Sequence, residues 1–264
     1  MMEFNDLVFK IKESIKLEEN EKRSEYLKFK SEIFVESLKD WSLTGDINDL
    51  KIWFEKKQKK LTLKLEDIPL KDCLEWKFDE KGYFSHSSGE FFFLQGLKIS
   101  SASSREVGGK GWYQPMITQV GFNGGILGLI RKKIKGVPHY LIEAKAEPGN
   151  PDGIQISPTL QATFSNLKMA HEGRKPNYSD FFEKFAKSDF SVSNNEKIHF
   201  CQWMSEDGGR LHLKRNLGVL LELDENFEID IKENFRFISL FQIKELIKEN
   251  SWINPHIRSI ISSL

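Results

Sequence analysis

From His139 to Glu147 the titratable side chains recur at every second position. His139, Leu141, Glu143, Lys145 and Glu147 fall on one side of the run, and Tyr140, Ile142, Ala144 and Ala146 on the other. Glu–Lys–Glu on one strand face reads in two ways. It is a plain ion-pair ladder, or it is a proton acceptor held beside a cation that stabilises developing negative charge. A Pro/Gly/Asn-rich turn follows, and the alternation resumes. Ser157, Thr159, Gln161, Thr163 and Ser165 share one side, opposite Ile156, Leu160, Ala162 and Phe164. Such short, uncharged groups line a pocket with donors and acceptors at little cost in side-chain entropy.

Further candidates lie on either side. Arg105 follows a serine run and precedes a glycine cluster, a setting in which a guanidinium can hold a phosphate with two hydrogen bonds. Trp112 can stack on a base or sugar or fill a core, and Gln114 stands close to it. Arg210 ends the glycine-rich turn "SEDGGR" and is a second phosphate candidate, although a hairpin turn accounts for the motif by itself. His199 and His212, like His139, sit on strand-like segments without metal-ligand spacing. No GxSxG, HExxH, Walker loop or GxGxxG pattern is present, and neither Cys73 nor Cys201 has a CxxC neighbour.

These groups must be placed by alternating strands, since period-two patterning marks half-buried β-structure. "GGILGLIRKKIKGVPHYLIEAKAE" reads as a hairpin turning at Lys135-Gly136. Short strands are expected from residue 74 to 100, and another pair about the Asp207-Gly208-Gly209 turn. Residues 1–70 read as a charged helical segment, with Thr44 or Asp46 as N-cap of its last helix, and 71–264 as the unit that carries the chemistry. "EKKQKKLTLK" reads as a solvated helix end. Residues 171–190 give a loop and a short helix. The tail is helical, with Ser239 as a cap and Asn254-Pro255 as a break.

Composition narrows the class. Thirty-nine basic residues balance 39 acidic ones, without the basic excess usual in nucleic-acid binding. Hydrophobic residues make up 39% and charged ones 30%, an ordinary globular balance. No apolar run is long enough to span a membrane, and the N-terminus lacks a secretory pattern. With two cysteines in unrelated contexts, a reduced cytoplasmic setting is expected.

In order, "LEWKFDEKGYFSHSSGEFF", "REVGGKGWYQP", "GILGLIRKKIKGVPHYLIEAKAEPGN", "ISPTLQATFSN", "SEDGGRLHLKRN" and "SLFQIKELIKENSWINPHIRSII" closely resemble one repeat of the NDP-hexose 2,3-dehydratase family. The resemblance spans about residues 70–264, and its most specific block is "AKAEPG…SPTLQAT". It implies an α+β chain: a Nudix-like mixed-sheet α/β/α sandwich with N-terminal helices and a C-terminal helical segment. The metal-binding glutamates of the Nudix box are absent, so Nudix-type pyrophosphate hydrolysis is not implied.

The implied activity is removal of water across C2 and C3 of a dTDP-linked 4-keto-6-deoxyglucose, in deoxysugar biosynthesis and without metal or redox cofactor. The resemblance falls most strongly on Glu143, Lys145 and Glu147. Glu147 or His139 is the expected proton-transfer residue and Lys145 the charge stabiliser, with Arg105, Trp112, Gln114, Ser157, Thr159, Gln161, Thr163 and Arg210 holding substrate. The alternative is a catalytically inactive nucleotide-sugar-binding protein, or a partner subunit, of the same fold. Family members usually carry two repeats, so a homodimer is expected. Two local departures bear on substrate contacts: a longer spacing between "REV" and "WYQP", and Leu167 after Asn166 where an aromatic is usual.

Overall fold

The structure, a computed structural model, describes residues 3–14, 21–61, 63–100, 111–122, 124–169, 174–186 and 196–264. Arg105 lies outside the described residues.

The hairpin expected at Lys135-Gly136 forms the centre of the larger sheet. β5 (Gly125–Ile134) and β6 (Val137–Ala146) meet with Ile134 opposite Val137. The turn between them puts Lys135 at φ 48° and Gly136 at φ 76°. Positive φ at both central residues matches the twist of the strands, and glycine meets it without steric cost. Around this pair the strand order is β12 (Phe235–Ile238), β6, β5, β11 (Arg215–Leu223) and β9 (Glu196–Ser205). β7 (Ile154–Ser157) adds to β6 and β8 (Leu160–Thr163) to β5. β5 and β11 run parallel and the other pairs of this sheet antiparallel, so the sheet is mixed.

Alternation along β5, β6 and β11 builds two apolar layers. On one face Leu129, Tyr140, Ile142 and Leu220 meet α3 (Ile47–Lys60), α6 (Leu240–Ile247) and α7 (Pro255–Ile261) through Leu50, Phe54, Leu240, Ile243, Ile257 and Ile260. On the other, Ile130, Leu141, Val219 and Leu221 meet Phe182, Phe185 of α5 (Glu183–Ala186) and Phe164 of α4 (Phe164–Leu167). The result is a mixed sheet between helices, flanked by N-terminal and C-terminal helices, as the sequence implies. The α4/α5 side uses one-turn helices, and Gly128 of β5 makes room there for the Phe182 ring, which a Cβ would meet at 2.5 Å.

α2 (Glu21–Glu36) is tied to the same sheet through a buried guanidinium. Arg131 donates to Glu32 at 2.6 Å and to Glu36 at 2.7 Å, and also pairs with Glu222. Tyr140 donates its hydroxyl to Glu36 at 2.8 Å. Burial alone pushes the Glu222 carboxyl upward, but the hydrogen bond to His199 and the Arg131 charge override it and hold it at about 2. The caps follow the sequence closely. Asp46 and Ser239 each close a capping box on α3 and α6, and Asn254 caps α7 with Pro255 in its first turn.

A second, smaller sheet has the order β1 (Trp76–Phe78), β2 (Phe84–His86), β3 (Phe92–Ile99), β4 (Trp112–Gln119) and β10 (Leu211–His212). The sequence expects a simple turn between β9 and β11. These strands do pair, with Arg215 opposite Ser205, but residues 206–214 make an excursion between them. Its two-residue β10 pairs in parallel with β4, so the excursion stitches the two sheets together.

One expectation of alternation fails. The sequence places Ile156, Leu160, Ala162 and Phe164 on one continuous face. Pro158 instead breaks the run into β7 and β8, because proline has no N–H for a ladder. Ile154 and Ile156 then enter the layer with α3, α6 and α7, while Leu160 and Ala162 enter the opposite layer.

Candidate active site

A polar chamber of about 310 Å³ opens where the ends of β6 and β8, the N-terminus of α7 and the excursion 206–214 converge. Lys145, Glu147, Gln161 and Thr163 line it, so the structure brings together four of the residues singled out by alternation. They also bind one another. Gln161 donates its amide to both oxygens of Glu147, at 3.1 and 3.3 Å. Lys145 donates to the Gln161 carbonyl at 3.3 Å and stands 3.4 Å from Glu147. Asn254 donates to the Gln161 side-chain oxygen at 2.9 Å and to the Ser157 hydroxyl at 2.8 Å. The Gln161 amide is therefore fixed, with its NH₂ aimed at the carboxylate.

The opposite wall carries residues that alternation could not reveal. His256 enters on the first turn of α7, and Glu206, Lys214 and Asn216 come from the excursion and the start of β11. His256 Nδ1 lies 3.5 Å from Glu206 Oε1, and the Asn216 amide donates to that same oxygen. Burial pushes the His256 imidazole below the ordinary histidine value; Glu206 and Glu147 pull it back, and Lys145 and Lys214 add to the lowering. Lys214 is also lowered by burial, against the pull of Glu206, and it donates to Gln119. The sequence signal for His256 was the Asn-Pro helix start two residues earlier, which marks a local turn but not what faces it.

Two further cavities lie beside the chamber and share lining residues with it. One, of about 490 Å³, is walled by Trp76, His86, Phe91, Phe92, Ile117 and Leu211, mostly from the smaller sheet, and shares Thr163, Asn166 and Lys214 with the polar chamber. Trp76 lies 5.0 Å from Phe92 and 5.5 Å from His86 between ring centroids. The other contains Trp112 and Gln114, with Glu206 and Lys214 at its edge. Trp112 donates to the Gln114 oxygen at 3.0 Å. Lys214 borders all three cavities.

The remaining expected site residues stand elsewhere. His139 is buried with both ring nitrogens engaged by backbone: Leu43 N–H donates to Nε2 and Nδ1 meets the Val137 carbonyl, each at 2.9 Å. Thr159 is a buried staple, accepting from Ile130 N–H at 2.9 Å and donating to the Leu141 carbonyl. Ser157 is buried against Asn254. Arg210 is 81% exposed and paired with Asp207 across the turn. Glu143 does not line the chamber; burial raises its carboxyl to about 7, Lys145 opposing and Glu147 adding to the rise. Among the described residues no group of three His, Cys, Asp or Glu side chains is arranged to hold a metal ion, and no helix is long and apolar enough to cross a membrane.

Residues 47–264 match the pattern of the NDP-hexose 2,3-dehydratase family. The chain is 32% identical over 219 residues to a dTDP-4-dehydro-6-deoxy-alpha-D-glucopyranose 2,3-dehydratase of Amycolatopsis orientalis, covering 82% of this chain and 44% of the relative. It is 32% identical over 213 residues to an enzyme of the same name from Streptomyces violaceoruber, covering 80% and 45%. The chain thus spans less than half the length of these curated relatives. Two solved structures overlap with it weakly: an Ap4A hydrolase of C. elegans (TM-score 0.29, 11% identity, 52% of this chain and 91% of that one) and a Nudix hydrolase of M. smegmatis (TM-score 0.30, 12% identity, 64% and 97%). The match over most of its length, together with relatives identical at about a third of the aligned positions, establishes that the chain belongs to the NDP-hexose 2,3-dehydratase family.

Proposed function

We propose that the chain removes water across C2 and C3 of a dTDP-linked 4-keto-6-deoxyhexose. The observation that carries this reading is the polar chamber, in which two carboxylates, two ammonium groups, an imidazole and several amides surround a space of about 310 Å³. The 4-ketone acidifies the C3 proton. Its removal leaves an enolate with charge on the C4 oxygen, the C2 hydroxyl departs with a proton as water, and the resulting enol tautomerises to a 3,4-diketone. Lys145 is the charge stabiliser of this scheme, with the Glu147 carboxylate 3.4 Å away tuning its field. His139 drops out, because its ring nitrogens are already committed to backbone.

The neighbouring cavities suit the two ends of such a substrate. The aromatic chamber offers ring faces to a flat pyrimidine, the polar chamber takes the sugar, and Lys214 stands between them, where a diphosphate would lie. The carboxylates and the imidazole favour chemistry over binding alone. The family's two-repeat pattern supports pairing of two copies of the chain in the active assembly.

The test is incubation of the purified chain with dTDP-4-keto-6-deoxyglucose, followed by mass spectrometry. Loss of one water supports the reading. Tight binding with no loss of water points to the nucleotide-sugar-binding alternative.

A further inference from the structure

Elimination from a 4-keto sugar moves two protons, one off C3 and one onto the departing C2 oxygen. Glu147 and His256 both line the polar chamber, and they are held differently. Glu147 is occupied: both oxygens accept from Gln161, and Lys145 stands 3.4 Å away. His256 is aimed. Its Nδ1 faces Glu206 at 3.5 Å, Glu206 is anchored by the Asn216 amide, and Nε2 has no hydrogen-bond partner among the described residues. Asn254 fixes the turn that carries the ring, because its oxygen accepts from Ile257 N–H at 3.0 Å and caps α7. An imidazole with a carboxylate beside one nitrogen, the other nitrogen unbonded and the ring lining a cavity, has the parts of a general base.

We propose that His256 takes the proton from C3, with Glu206 as its positioning residue, and returns that proton to the leaving C2 hydroxyl. This rests on the dehydratase reading and assigns its proton traffic. The C3–H bond breaks and its electron pair forms the enolate, while the proton goes to His256 Nε2. The C2–O bond then breaks, and the imidazolium delivers its proton to that oxygen. One water leaves, and the enzyme is restored without oxidant or co-reactant. The imidazolium forms between two carboxylates, Glu206 and Glu147, with Lys145 and Lys214 facing the same chamber. Burial disfavours the charged ring, and the Glu206 and Glu147 carboxylates oppose that effect.

The test follows exchange of the C3 hydrogen with deuterium from solvent and loss of water in parallel, for wild type, His256→Ala, Glu206→Gln and Glu147→Gln, with melting curves to verify folding. The expected result is that His256→Ala loses both exchange and dehydration by roughly 10²–10⁴-fold. Added imidazole should restore part of each rate, which repair of a structural defect would not do. Glu206→Gln should lower kcat with little change in KM, and Glu147→Gln should retain C3 exchange. Exchange at the wild-type rate in folded His256→Ala, or loss of exchange in Glu147→Gln alone, overturns the assignment while leaving the dehydratase reading intact. A wild-type chain that exchanges C3 hydrogen through His256 but releases no water refutes the dehydratase reading and keeps the base. Absence of exchange in the wild type overturns both.

Discussion

Glu143 and Glu147 are two turns of the same alternation with opposite fates. Glu147 lines the chamber just past the end of β6, whereas Glu143, half-buried on the same strand, does not, and its carboxyl is raised to about 7. A carboxyl whose folded value exceeds its unfolded one contributes stability fully below the unfolded value of 4.5, and that contribution is lost as pH rises through about 7. Glu143→Gln should therefore leave stability at pH 4.5 nearly unchanged and raise it at pH 8, by at most about 3 kcal/mol. Urea unfolding of both proteins at the two pH values measures this, and equal differences at both would contradict it. Glu147→Gln should slow dehydration, because the carboxylate faces the imidazolium and holds the Gln161 amide, but by less than the roughly 10²–10⁴-fold lost with a proton-transfer group. A wild-type kcat in the folded variant would remove Glu147 from the reaction. At this scale the sequence reveals what one strand can show. Lys145, Glu147, Gln161 and Thr163 were found because a two-residue period puts them on a common wall. The same rule picked His139 and Thr159, whose polar atoms are consumed by Leu43, Val137, Ile130 and Leu141. Periodicity reports which way a side chain points, not what is waiting for it.

Helix α7 shows how an element with few residues sets a distant geometry. Asn254 performs two tasks: its oxygen caps the helix and its amide orients Gln161. Asn254→Ala should cost about 1 kcal/mol of stability from the lost cap, plus the penalty of unpairing the Gln161 oxygen. Asn254→Ser keeps a capping oxygen and loses the amide donor without burying a charge, so it should melt closer to wild type than the alanine variant does. Thermal denaturation of the three proteins decides this, and a serine variant less stable than the alanine one would refute the capping account. The elements themselves were largely readable. The Lys135-Gly136 hairpin, the Asp46 and Ser239 caps and the short strands after residue 74 all follow from local chemistry. The excursion 206–214 was not. Its glycine-rich turn is explained locally, whereas its pairing with β4 joins residues roughly a hundred positions apart, and no local pattern encodes such a partner. His256 and Glu206 were hidden for the same reason.

Taken whole, the molecule divides its labour between two sheets. Trp76, Phe91 and Phe92 of the smaller sheet region wall the aromatic chamber, while the end of β6 in the larger sheet, and α7 packed on that sheet, bring Lys145, Glu147 and His256 to the polar one. If the pyrimidine stacks in the aromatic chamber, Trp76→Ala should weaken thymidine diphosphate binding about tenfold or more, in line with roughly 1–3 kcal/mol for one lost base–aromatic stack. Calorimetry with thymidine diphosphate measures this directly, and wild-type affinity in the variant would place the base elsewhere. Light scattering at micromolar concentration should give twice the 30.7 kDa of one chain; a mass near the single value would contradict pairing. The stitch between the sheets has a consequence for how such a site can change over evolutionary time. Glu206 and Lys214 lie eight positions apart on one excursion, whereas the aromatic walls belong to strands remote from the groups that would make and break bonds. On the proposed reading, substitutions on β1, β2 and β3 would trade one carrier group for another while the reacting centre is inherited unchanged. Drift within residues 206–214 has no such freedom, since one replacement at Lys214 alters the lining of three cavities at once.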